Sequence, residues 1–369
     1  MRDEKENKVI YRHVSLKGTS YEIGRKEAEI MKEQFPEGID FWFKGNEMIH
    51  PASIKSIREV MELINQYSPN MNEEIRGFAE YFNRTAEEVI YYSFSHVGKG
   101  NCGHFTVLSN TDEEHIYAGR SYEWDADEDK LLLTIKAEGS YSHMGFSLLF
   151  FGRYDGMNEK GLCVTMSNAA PCIMSEEEGL RFWLVIRIIL DTCKDISEAI
   201  HLLKIIPLAS YCNLILTDRN NEAALVEINN SVKTIKRISK ASEKKYLCST
   251  NHYILPQMQH LVKNRMQQSV DRYKAIVTTL ETAAVEKNSL KKLLSTHMPK
   301  GLACHHYSEG LGTMWAVLYD LTSLEAEICF GSPVVNEWYT FGLNTKEGIY
   351  EYTAVLPDEE ADPDIWQRI

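Results

Sequence analysis

The sequence predicts an α+β fold in which helices lie on a sheet of short antiparallel strands. Helical apolar spacing dominates residues 1–100. From residue 102 onward, short apolar runs recur between Gly, Asn and Asp turns, the pattern of antiparallel hairpins. Two helical stretches at 179–206 interrupt the strands, which then resume, as expected when helices cover a sheet. At 369 residues the chain can bury a large core, in one big domain or two.

Taken in order, Val9 to Leu16 alternates weakly and reads as a strand. Gly18-Thr-Ser-Tyr-Glu-Ile-Gly24 leads into a helix ending near Gln34, with Ser20 as its cap. Ile54, Ile57, Val60, Met61 and Ile64 predict a helix over 53–67, which Pro69 ends. Helices over 72–82 and 85–92 follow, the second with Thr85 and Glu88 in capping-box spacing. Gly98-Lys-Gly100-Asn101 breaks the pattern just before Cys102, where two glycines permit unusual backbone angles.

Strands are then predicted over 104–109, 115–120, 131–137, 144–151 and 161–166, with Asn158-Glu-Lys-Gly161 as a turn. Gly179 to Cys193 is apolar on nearly every side, so it reads as a helix buried between layers. A helix over 197–206 is capped by Asp195 or Ser197 and stopped by Pro207. A hairpin pairs 211–217 with 222–228, and a strand over 246–249 runs into Thr250-Asn251-His252. A long helix over 256–282, a short one over 289–297, a hairpin (313–320 with 326–331) and a final strand over 338–343 complete the chain. The tail over 358–364 is acidic and reads as solvated.

Composition excludes several roles. The formal charge of −13 argues against nucleic acid, which needs a basic face. No run approaches the ~18 apolar residues of a membrane span. The charged N-terminus lacks the apolar core of a secretory signal, so a cytoplasmic location is expected. The eight cysteines form no C-x-x-C pair and read as mostly free thiols. Cys304-His305-His306 is no metal site on this reading, because adjacent side chains diverge and no distant ligand pair is evident. No cofactor is called for.

One cysteine stands out. Cys102 precedes an apolar strand pattern, and Gly119-Arg120-Ser-Tyr-Glu123-Trp124-Asp125 brings a guanidinium and carboxylates at the end of the next. Arginine never deprotonates, so it can favour a thiolate or hold a substrate anion. Asn168, beyond a buried strand, either donates to a reacting carbonyl or simply makes a turn. Arg272 either reaches inward from its helix or snorkels at the surface.

These motifs together resemble the N-terminal-nucleophile (Ntn) hydrolases of the choloylglycine hydrolase and penicillin V acylase group. The resemblance is closest to the acyl-CoA:6-aminopenicillanate (isopenicillin N) acyltransferase branch, peptidase family C45. It runs over nearly the whole chain: Gly18 to Gly24, Glu73-Glu-Ile-Arg-Gly-Phe-Ala-Glu80, Cys102-x-x-Phe105, Gly119 to Trp124, Asn158 to Leu162 with Ser167-Asn168, Thr250-Asn251-His252 and Ser269-x-x-Arg272.

The resemblance implies a four-layer αββα sandwich of two antiparallel sheets with helices outside. It implies a cut between Asn101 and Cys102, giving a helical leader (1–101) and a catalytic chain (102–369). Cys102 would be the nucleophile, with its freed α-amine as base near neutral pH. Arg120 would bias the thiol to thiolate, Asn168 and Asn251 would stabilise the oxyanion, and Arg272 would complete the polar network. Two positions depart from the family: Glu123 stands where aspartate is common, with Asp125 as the other carboxylate in reach, and Asn101 stands where glycine often precedes the nucleophile. The implied substrate is a small acyl amide or acyl donor. Trp124, Phe151, Tyr154 and Met157 are read as an apolar acyl pocket. A homo-oligomer is compatible with this reading; nucleic acid and membrane are not expected partners. Two alternatives stand beside it: a thiol hydrolase pairing Cys102 with His252, and a non-catalytic binding protein that keeps the fold.

Overall fold

The computed structural model describes residues 8–34, 43, 51–95, 100–110, 115–126, 130–148, 151–169, 177–262, 265–282 and 286–369. Among the described residues, the segment read above as a leader holds β1 (Lys8–Gly18), α1 (Ser20–Gln34), α2 (Pro51–Tyr67), α3 (Pro69–Tyr81) and α4 (Ala86–Ser95). Local chemistry sets their ends. Thr19, not Ser20, caps α1: its hydroxyl accepts from Glu22 N and Glu22 Oε2 accepts from Thr19 N. Pro69 does not merely end α2; it opens α3, where its missing N–H is no loss. The expected box at Thr85 and Glu88 forms.

Next come β2 (Asn101–Val107), β3 (Tyr117–Trp124), β4 (Leu131–Ala137), β5 (His143–Leu148), β6 (Gly152–Arg153), β7 (Gly156–Asn158) and β8 (Leu162–Asn168). Helices α5 (Phe182–Thr192) and α6 (Ile196–Ile205) precede β9 (Tyr211–Asp218), β10 (Glu222–Asn229), β11 (Val232–Ser239) and β12 (Tyr246–Ser249). Then follow α7 (Gln267–Thr282), α8 (Lys287–Ser295), β13 (His305–His306), β14 (Leu311–Asp320), β15 (Glu325–Phe330), β16 (Trp338–Gly342) and β17 (Gly348–Val355).

Ten strands form one sheet in the order β11-β10-β9-β8-β7-β5-β4-β1-β17, with β6 attached to β5. Seven form the other, ordered β12-β2-β3-β14-β15-β16 with β13 on β14. Among the described ladders only β1 with β4 is parallel. The sheets pack face to face through β2 and β3 against β8; α5 and α6 cover the outside of the larger sheet, and α7 and α8 the outside of the smaller. This is the expected αββα sandwich.

Several expectations shift. Strand β2 starts at Asn101, so Cys102 lies inside a strand and not ahead of it. The long helix starts at Gln267, because the backbone at 265–267 bonds to the C-terminal residues Gln367 and Ile369. Strand β11 was not foreseen, nor was β17, which pairs with β1. The carboxylates of the tail over 358–364 are exposed, as expected of a solvated tail, yet the segment is tethered: Glu359 N donates to His305 O, and Asp358 accepts from Ser308 N. No helix among the described residues is long and apolar enough to cross a membrane.

Candidate active site

The pleat of β2 and β3 divides the site in two. Successive side chains on a strand point to opposite faces. A side chain added at Gly103 would meet Leu302 and Ile276, on the helix side. Phe105 and Val107 share that side and cluster with Ile276, Leu290 and Leu293. Cys102, His104 and Thr106 therefore face the opposite sheet, where His104 Nδ1 meets Thr165 Oγ1 at 2.9 Å. Register places Tyr122 opposite Cys102, Arg120 opposite His104 and Glu123 opposite Asn101.

Between the sheets, Arg120 is fully buried and holds the thiol, a backbone carbonyl and a carboxylate. Its Nη2 donates to Cys102 Sγ at 3.1 Å, its Nε to Met166 O at 2.9 Å and its Nη1 to Asp155 Oδ2. Asp155 also accepts from Tyr319 Oη at 2.7 Å and Trp315 Nε1 at 3.4 Å. The guanidinium lies 5.0 Å from the Tyr122 ring centre and 5.6 Å from that of Tyr154. Burial would lower the Arg120 pKa, but Cys102 and Asp155 raise it overall. Arg120 draws the Cys102 thiol toward thiolate, yet the net direction is upward. Burial pushes it up, and the lowering by Arg120 does not offset that.

On the helix side, Arg272 of α7 is fully buried; it does not snorkel. Its Nη1 meets Glu123 Oε2 at 2.8 Å and its Nη2 meets Asn251 Oδ1 at 2.9 Å. Asn251 Oδ1 also accepts from Cys102 N at 2.8 Å, while its Nδ2 donates to Asn168 O at 2.8 Å. That environment, two donors at one end and a carbonyl at the other, fixes the amide's orientation. Glu123 also accepts from Ser121 Oγ. Burial raises the Glu123 carboxyl to about 7, against the lowering effect of Arg272. Asp125 lies past the end of β3 and is partly exposed.

The other predicted residues divide. Tyr154 reaches the thiol side, its hydroxyl 3.3 Å from that of Tyr122. Phe151 packs on Phe78 of the leader, ring centres 5.2 Å apart, and so belongs to the core. Met157 is buried in β7, facing the other sheet, since its neighbour Gly156 faces Leu190 of α5. Trp124 is half-buried beside Gly310. Beyond Asn168 and Ala169, residues 170–176 lie outside the described residues. His252 turns to Ser269 Oγ at 2.8 Å, and burial, with Arg265 and Arg272, pushes its ring down to about 4. Cys304, His305 and His306 disperse to Leu302 O, to Ser332 with Glu359, and to Glu359 O. The seven cysteines among the described residues are free and buried.

Two site residues escaped the sequence reading. Asp155 holds Arg120, yet its only signal was a carboxylate between Tyr154 and Gly156. Gln268 touches Arg272 and Asn101; its signal was the i,i+4 spacing to Arg272 on one helix face.

A model of the acyl-coenzyme A:6-aminopenicillanic acid acyl-transferase family matches residues 109–334. That stretch contains Arg120, Glu123, Asn168, Asn251 and Arg272, and begins shortly after Cys102. No curated protein matches the sequence significantly. Among solved structures, penicillin V acylase from Agrobacterium tumefaciens is similar at 15% identity over 68% of this chain and 90% of that one, with a TM-score of 0.45. A Caenorhabditis elegans N-acylethanolamine-hydrolyzing acid amidase ortholog is similar at 15% identity over 60% and 93%, TM-score 0.43. A mutant of the conjugated bile acid hydrolase from Clostridium perfringens is similar at 11% identity over 70% and 99%, TM-score 0.41. With more than half of its length matched by the family model, the chain belongs to the acyl-coenzyme A:6-aminopenicillanic acid acyl-transferase family.

Proposed function

We propose that the chain is a self-processing cysteine Ntn hydrolase that cleaves or transfers an acyl group from a linear amide through a thioester on Cys102. One observation carries this reading. The Cys102 thiol sits 3.1 Å from a buried guanidinium, while its backbone nitrogen sits 2.8 Å from Asn251 Oδ1. Thiol and future amine are thus held by separate partners.

In the cut, the thiol adds to the Asn101 carbonyl and its proton passes to the departing Cys102 nitrogen. The C–N bond breaks and a thioester forms. Water hydrolyses the thioester, leaving an Asn101 carboxylate, a free thiol and a free α-amine. That amine then serves as the base, with a reference pKa of ~7.7–8.0. In turnover it takes the thiol proton and returns it to the leaving amine of the substrate; water or a second amine accepts the acyl group. Asn168 and Asn251 stabilise the oxyanion, and losing one such donor costs about 3 kcal/mol. Tyr154, with Trp124 at the rim, lines the acyl side.

Intact-mass analysis tests this. Wild type should give two chains whose masses sum to the precursor plus one water, and Cys102→Ala a single chain. An uncut wild type that still hydrolyses acyl amides would remove self-processing from the reading. A thiol labelled by iodoacetamide no faster than in denatured protein would favour a non-catalytic binder.

A further inference from the structure

The residue before the nucleophile is held by its side chain. Asn101 Oδ1 accepts from Gln268 Nε2 at 2.9 Å, and Asn101 Nδ2 donates to Gly310 O at 3.2 Å. Gln268 is 1% exposed, and its Oε1 accepts from Arg272 Nε at 3.1 Å and from Nη2. Arg272 Nη2 also reaches Asn251 Oδ1, which holds Cys102 N. One guanidinium therefore anchors both flanks of the Asn101–Cys102 peptide, the upstream flank through Gln268 and the downstream flank through Asn251. Gly100 fixes the approach: its φ is +100°, and a side chain there would sit 2.4 Å from the Tyr122 ring.

We propose that Gln268 is a positioning residue for the cut, clamping the Asn101 carboxamide so that the scissile carbonyl is presented to the Cys102 thiol. The clamp explains why asparagine serves here. A glycine would give Gln268 no acceptor and leave the upstream flank to the backbone alone. The proposal rests on the self-processing reading, because it concerns the geometry of that step. Intramolecular attack is steep in geometry: a misplacement of about 1 Å can slow a reaction about 100-fold.

The test follows the cut in full-length chains made by cell-free translation, reading the two products on a denaturing gel. Asn101→Ala and Gln268→Ala should each slow the cut by about 10-fold or more, and the double variant no further than the slower single one. Gln268→Glu keeps an acceptor for Arg272 but loses the donor to Asn101, so it should be as slow as Gln268→Ala. Asn101→Ala removes the other partner of the same hydrogen bond from a different element, β2, and so guards against a folding defect at Gln268 in α7. Wild-type rates in Asn101→Ala or Gln268→Glu, or effects that multiply in the double variant, overturn the clamp while leaving self-processing intact. A wild-type chain that stays whole overturns both.

Discussion

Glu123 and Cys102 stand on neighbouring strands yet face opposite layers, and Arg272 and Asn251 connect them. This arrangement makes Glu123 the group whose titration should be felt at the Cys102 backbone nitrogen, through Arg272 and Asn251. Its carboxyl is raised by burial to about 7. Below that pH it is neutral and Arg272 loses its counter-charge; above it the pair is complete. The rate of the cut should therefore rise with pH through about 7. Glu123→Gln should cut more slowly and lack that inflection, and a profile that keeps it would assign the titration elsewhere. Much of this site was legible from the sequence, because Arg120, Glu123 and Arg272 are charges set among apolar runs. Asp155 and Gln268 were not, since their importance arises only when the turn between β6 and β7 meets Arg120 of β3 and α7 meets Asn101 of β2. The pKa direction of Cys102 was also out of reach, because it depends on full burial.

At the scale of elements, the two leader motifs find their reason in one helix crossing. A side chain on Gly24 of α1 would fall 1.8 Å from Glu74 O, and one on Gly77 of α3 would fall 2.1 Å from Tyr21 O. Each helix thus uses a glycine to admit the other's backbone. A clash with backbone cannot be relieved by a rotamer change, so Gly24→Ala or Gly77→Ala should destabilise by about 1–3 kcal/mol, at the upper end of that range. The denaturant midpoint measures this, and a midpoint unchanged from wild type would mean that the crossing is looser than described. Boundaries were harder to read than elements. Pro69 carried two meanings in sequence, stop and start, and only α3 decides between them. The start of α7 is set by the far C-terminus, and β17 is an edge strand whose partner β1 lies at the other end of the chain. Such long-range pairing has no local signature.

For the whole molecule, the leader is a structural part of the sandwich and not a cover laid upon it. Strand β1 lies between β4 and β17, inside the larger sheet. Glu74 of α3 meets Arg187 of α5 through two bonds, at 2.8 and 2.6 Å, and Arg187 also meets Asp191 at 3.0 Å. All three side chains are buried. If the proposed cut occurs, the segment before Cys102 should stay bound and the two chains should co-elute without denaturant. Arg187→Met strands two buried carboxylates, an imbalance that typically costs about 3–5 kcal/mol. The cut variant should release its leader at a lower urea concentration than wild type, as size-exclusion chromatography would show. Acid should act on the same joint. Burial alone would raise Asp191, but Arg187 and His143 hold it down to about 2, below its ordinary 3.8. A carboxyl depressed on folding stabilises above its ordinary value and loses that contribution as pH falls through the folded one. Burial likewise lowers His143 to about 4, so protonation of the unfolded chain weakens the fold from about 6.5 downward. Leader retention should therefore weaken below neutral pH through His143 and again toward pH 2 through Asp191. Equal retention at pH 7 and pH 3 would show that this buried charge cluster does not hold the chains together.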